Sequence, residues 1–169
     1  MLGTRYEIQP IAPVEEAMTR VSAGAVTFGL EVRRLTNEII SEFYQGRPEE
    51  SAVEQTVAGK DPFDDHGLSI HVFDADSGVE YLRFDCFANF PHYHYVHADE
   101  GFQVLHEMDP TAFGDTFEWA IGRLRTRLPQ MLGEAGRGDL GGRLDSAVVA
   151  SALDSLDRLQ AGAREKTRS

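Results

Sequence analysis

Alternation between apolar and polar positions dominates the first two thirds of the chain. From Val26 to Arg33, Val26, Phe28, Leu30 and Val32 fall on one side and Thr27, Glu31 and Arg33 on the other, the period of a half-buried strand. A second alternating stretch runs from Leu68 to Phe87 around Asp76-Ser77-Gly78. With Gly78 supplying the left-handed position that ends a three-residue loop, this stretch predicts a hairpin. One face pairs Val72 with Leu82, Ile70 with Phe84 and Leu68 with Cys86; the other pairs Phe73 with Tyr81, His71 with Arg83 and Ser69 with Asp85. Asp99-Glu100-Gly101 repeats the loop between extended segments 92–97 and 102–108, which sets Val96 against Val104 and His94 against His106.

Helical spacing takes over after Met108. Asp115 with Glu118 opens a capping-box-like start, and Phe117, Ile121, Leu124 and Leu128 form one apolar face that Pro129 should kink or end. Beyond the glycine-rich connection 136–142, a further helix from Asp145 turns Val149, Leu153, Leu156 and Leu159 inward. Near the N-terminus, Pro13, Val14, Ala17, Met18 and Val21 predict a short helix stopped by Gly24. Ile39, Ile40, Phe43 and Tyr44 fit a strand and a helical turn equally well. Residues 45–66, broken by Gly46, Pro48, Gly59 and Pro62, predict a long loop, and 164–169 a frayed tail. Strands first and helices afterwards indicate an α+β fold in a single domain, 1–169. The expected architecture is an antiparallel sheet of four to five strands packed on two C-terminal helices, with the short N-terminal helix beside them.

Composition narrows the partners. The formal net charge of −12, from 28 acidic against 16 basic residues, argues against nucleic acid and anionic membranes as partners. Cys86 is the one cysteine, so no intrachain disulfide forms. The N-terminus lacks a basic start followed by an apolar run, and no stretch approaches the ~20 apolar residues of a membrane span. A cytoplasmic location is the resulting expectation, and a homodimer would cover any helix or sheet edge left open.

Candidate chemistry centres on Pro91-His92-Tyr93-His94-Tyr95-Val96-His97. A strand sends His92 and His94 to one face, and the expected second hairpin adds His106. Two histidines on one strand and a third on its neighbour resemble, in spacing alone, the metal-holding pattern of carbonic anhydrases and cupins; neither their fold nor their activity is implied. Such a set would take Zn²⁺ or Fe²⁺, with Asp64 or Asp65 as a further ligand from the long loop. The competing reading is three half-buried imidazoles bonded to backbone or tyrosine.

A second candidate set, His71, Arg83 and Asp85, lies on the polar face of the first hairpin beside Ser69. Arg83 could clamp a carboxylate while His71 moves a proton and Asp85 orients it. A cross-strand ion-pair patch without chemistry is the simpler account. Cys86 sits at an inward position and reads as a structural thiol. Gly136-Arg137-Gly138-Asp139-Leu140-Gly141 matches the dinucleotide fingerprint by letter, but it joins two helices and has no βαβ setting. With no specific catalytic motif present, a non-catalytic domain binding a partner or small ligand is the leading expectation. A metal-dependent enzyme or metal-binding protein and a small-acid enzyme are the rivals.

Overall fold

The computed structural model describes residues 2–51 and 63–168. The fold is α+β, built on a seven-stranded antiparallel sheet. In chain order the strands are β1 (Thr4–Tyr6), β2 (Met18–Ala23), β3 (Val26–Thr36), β4 (Asp64–Asp74), β5 (Glu80–Phe87), β6 (His92–His97) and β7 (Phe102–Glu107). Across the sheet they run β1-β7-β6-β5-β4-β3-β2, so that short strands form both edges. Five helices are described: α1 (Asn37–Tyr44), α2 (Pro110–Phe113), α3 (Thr116–Glu134), α4 (Gly138–Gly141) and α5 (Ser146–Thr167). None is long and apolar enough to cross a membrane.

The core lies between one face of the sheet and the pair α3 and α5, with α5 over β2 to β4 and α3 over β5. Phe28, Leu30, Ile70, Val72, Leu82 and Phe84 meet Phe117, Ile121, Leu124 and Leu128 of α3 and Val149, Leu153 and Leu156 of α5. Leu159 is instead exposed, and Ala152 occupies the inner position. Pro129 does not end α3, because Met131 and Leu132 beyond it are buried and hold the last turn in place. Likewise α5 runs on to Thr167, past Arg164, whose guanidinium lies 3.0 Å from both carboxylate oxygens of Asp115. Asp115 also caps α3, accepting from the Glu118 backbone N–H at 3.0 Å. Asp115→Ala is therefore expected to lower the unfolding free energy in urea by about 1 kcal/mol.

The expected N-terminal helix is a single 3-10 turn, Glu15–Ala17, followed by edge strand β2. Gly24, at φ 72°, is the first residue of a two-residue hairpin loop, since Ala23 pairs with Val26. The ambiguous segment is helix α1, capped by Thr36. Of the expected loop 45–66, residues 52–62 lie outside the described residues, and Asp64–His66 belong to β4, paired with Thr36–Arg34 of β3.

Both long hairpins close through four-residue loops rather than three: the Gly78 and Gly101 N–H groups reach back to the Asp74 and His97 carbonyls at 2.8 and 2.9 Å. In the first hairpin a register shift between Val72 and Phe73 leaves Tyr81 as an extra residue. That bulge restores the expected pairs from Val72–Leu82 to Leu68–Cys86, but Phe73 now faces Glu80 instead of Tyr81. The second hairpin has no such bulge. Val96 pairs with Gln103, His94 with Leu105 and Tyr93 with His106. One step of register moves a whole strand to the opposite face.

Candidate functional site

The sheet face turned away from α3 and α5 is buried as well, yet it carries polar and charged groups. Glu31, Arg33, Ser69, His71, Arg83, Asp85, His92, His94 and Gln103 are all buried there. The chain covers them with residues 8–14 and α1. Gln9 donates to the Phe102 carbonyl at 3.2 Å and accepts at its own carbonyl from the Tyr44 hydroxyl at 2.7 Å. Arg33 donates to the Ile11 carbonyl at 3.2 Å, and the Val14 N–H donates to Glu31 at 3.1 Å. Between this cover and the sheet lies a cavity of about 310 Å³. Its walls are mostly apolar, with Ile8, Pro10, Ile11, Leu35, Ile40, Phe63, Phe90 and Leu105 among them. Its polar floor consists of Arg33, Arg83, Asp85, His92, His94 and Gln103.

Two connected networks make up the floor. In the first, His71 lies between two carboxylates, with Nε2 2.7 Å from Glu31 Oε2 and Nδ1 3.0 Å from Glu80 Oε1. Carboxylate oxygens only accept, so both ring nitrogens carry protons and His71 is an imidazolium. Burial alone would lower its pKa; Glu80 and Glu31 outweigh burial and raise it. Arg83 grips Glu80 in a fork, Nε to Oε1 at 2.6 Å and Nη2 to Oε2 at 2.9 Å. Burial would push the Glu80 carboxyl up, but Arg83 and His71 hold it well below the usual carboxylate range. Arg33 adds a bond to Glu31 at 3.1 Å.

The second network joins β5 to β6. Ser69 donates its hydroxyl to Asp85 Oδ1. Asp85 Oδ2 lies 3.2 Å from His94 Nε2 and 3.3 Å from His92 Nε2. Asp85 and His92 are register partners and His94 is two residues further along the same face. His92 is oriented by its Nδ1, which donates to the Phe90 carbonyl at 2.8 Å, and by the Phe90 ring 4.9 Å away. Burial pushes the His94 imidazole down to about 4, only partly offset by its bond to Asp85, so the ring is neutral near pH 7. With Nε2 donating to Asp85, His94 Nδ1 is left as a buried acceptor without a partner, and Gln103 Oε1 on the neighbouring strand is another.

The three-histidine site does not form. His106 lies on the helix side of the sheet, its ring stacked on Tyr93 with centroids 4.9 Å apart. Asp85 takes its place beside His92 and His94, the one group of three ligand-type side chains among the described residues with donor atoms within 4.8 Å of one another. Asp64 is exposed and paired with Arg34 at 2.6 Å. Asp65 is buried, and its carboxylate accepts from the backbone N–H groups of His66, Asn89 and Phe90. Neither belongs to the group.

His71, Arg83 and Asp85 do share one face, as expected, but Glu31 and Glu80 occupy both ring nitrogens of His71, and Glu80 takes the Nε–Nη2 fork of Arg83. Glu80 carried no signal in the sequence beyond its acidity, because the bulge at Tyr81 brings it onto this face. Tyr81 is displaced into the core, with the Arg137 guanidinium 4.6 Å from its ring centroid. Cys86 packs against the core, and burial pushes its thiol up, away from the range of a nucleophile.

Neither a curated protein nor a solved structure matches the chain. A family described as a domain of unknown function, DUF7700, matches residues 20–160, a span that holds every residue of the polar floor and begins after the 8–14 cover. The chain belongs to this DUF7700 family.

Proposed function

We propose that this protein binds a small, largely apolar molecule in the cavity beneath residues 8–14, with a polar end of the molecule set against Asp85, His92 and His94. The observation that carries this reading is the pair of buried, unpartnered atoms, His94 Nδ1 and Gln103 Oε1, on residues lining a cavity whose walls are mostly apolar. A buried polar atom without a partner costs about 1–3 kcal/mol, and a bound polar group offsets that cost. The cavity volume of about 310 Å³ falls at the lower end of small-molecule sites, about 300–1,000 Å³. Apolar walls with a few convergent polar groups are the common make-up of such sites.

The test is fluorescence titration with N-phenyl-1-naphthylamine, a neutral apolar probe. Saturable binding of one probe per chain is expected. Leu105→Trp, which fills the cavity from β7, should weaken it more than tenfold while the thermal midpoint of unfolding stays within a few degrees. Absence of saturable binding, or equal binding by a folded Leu105→Trp variant, would overturn the reading.

A further inference from the structure

We infer that Asp85, His92 and His94 form a centre for a first-row divalent cation at the floor of the cavity. The inference rests on the cavity reading only for what the cation would face. The donor geometry supports it first. Metal–nitrogen and metal–oxygen bonds of about 2.0–2.2 Å place neighbouring donors about 2.9–3.5 Å apart in a tetrahedral or octahedral shell. Asp85 Oδ2 stands 3.2 Å from His94 Nε2 and 3.3 Å from His92 Nε2.

The proton inventory supports it second. His92 Nδ1 is spent on the Phe90 carbonyl, so on a neutral ring Nε2 presents a lone pair. That lone pair faces Asp85 Oδ2, which is also only an acceptor. A divalent cation bound between them would satisfy both acceptors at once. Ser69 bonds Asp85 Oδ1 and leaves Oδ2 as the ligand oxygen. The Phe90 carbonyl and the Ser69 hydroxyl are the outer partners that fix ligand tautomer and orientation at metal sites.

A cation bound to His94 Nε2 also moves that ring's proton to Nδ1. The two orphaned acceptors then become one donor, His94 Nδ1–H, and one acceptor, Gln103 Oε1. Two imidazoles and one carboxylate select Zn²⁺ or Fe²⁺ over Mg²⁺ and Ca²⁺, which prefer all-oxygen shells. All three ligand residues line the cavity, so the remaining coordination positions open towards it. The molecule such a centre takes is an apolar body carrying an oxygen donor, such as a carboxylate, enolate or hydroxyl.

Co²⁺ serves as the probe, added to full-length protein purified without an affinity tag and stripped with a chelator. One Co²⁺ per chain is expected, with visible bands of a low-coordinate site that Zn²⁺ abolishes. Asp85→Asn and His94→Ala should each weaken binding by more than tenfold, and His106→Ala, on the other face, should leave it unchanged. Should either ligand variant fail to fold, long-range ¹H–¹⁵N spectra of the wild type give the same answer: Zn²⁺ shifts the ring nitrogens of His92 and His94 and leaves those of His106 in place. No stoichiometric Co²⁺, equal binding by folded Asp85→Asn, or His92 and His94 resonances unmoved by Zn²⁺ would overturn the centre. A chain that takes the naphthylamine but no Co²⁺ loses the metal centre and keeps the cavity reading; one that takes Co²⁺ but no naphthylamine does the reverse.

Discussion

Arg83→Met should lower the unfolding free energy by about 3–5 kcal/mol, the scale for breaking a buried ion pair from one side. Methionine replaces much of the apolar stem but strips Glu80 of both bonds of the fork, 2.6 and 2.9 Å long. The carboxylate, about 10% exposed, then keeps the 3.0 Å contact with His71 but has lost its bidentate partner. Adding Glu80→Gln removes the stranded charge, so the double variant should recover more than about 1 kcal/mol relative to Arg83→Met alone, a coupling that residues in one network show. Urea unfolding of the four chains measures both numbers. A single-variant loss below about 1 kcal/mol would mean that the pair is far better solvated than its burial implies.

Stability should also pass through a maximum near pH 6.5, with His71 of the first network setting the alkaline limb and the depressed His94, whose burial favours the neutral ring, adding to the acid limb between about pH 4 and 6.5. The pKa of His71 is raised in the folded protein. Its contribution is therefore fully present below the unfolded value of about 6.5, and it is lost as pH rises through the higher folded value. Glu80 and Glu31 are shifted the other way: burial would raise both, but their cationic partners hold them low. Their contribution is present above the unfolded value of about 4.3 and is lost as pH falls through the depressed folded values. Urea midpoints from pH 3 to 9 give the profile. His71→Gln should flatten the limb between pH 6.5 and 9, because no imidazolium is left to lose its proton. An unchanged alkaline limb in that variant would assign it to another group.

Side-chain period and turn chemistry made much of the central sheet readable from residues alone. Val26 to Arg33 and Leu68 to Phe87 alternate strongly enough to assign faces correctly, and Gly78 and Gly101 do occupy left-handed positions at φ 72° and 80°. Loop length was not readable. A glycine that ends a three-residue loop and one that ends a four-residue loop look alike in sequence. The first hairpin came out right across most of its length because the bulge at Tyr81 compensates for the extra loop residue. Without a bulge, the second hairpin carried His106 to the wrong face.

The same ambiguity hid the edge strands. Gly24 stops a helix or starts a hairpin, and the weak alternation of Met18 to Ala23 does not decide which; pairing with β3 does. At the site, His92 and His94 were legible from their spacing of two. Asp85 was legible as part of a different set, since its closeness to both histidines comes from the β5–β6 register, which no turn residue announced. Glu31 and Glu80 were the least visible, because only tertiary pairing gives two acidic side chains a shared imidazolium.

The cover formed by residues 8–14 is tied down by polar contacts to Phe102, Tyr44, Arg33 and Glu31. Among the described residues before Ala23, Val21 alone packs against the apolar core, and it lies outside the 8–14 stretch. Detaching that stretch thus breaks a handful of hydrogen bonds and leaves the sandwich of sheet and helices whole, a local opening far cheaper than global unfolding. A molecule entering beneath this cover, as proposed above, would leave the integrity of the scaffold untouched: the doorway and the foundations would be separate parts.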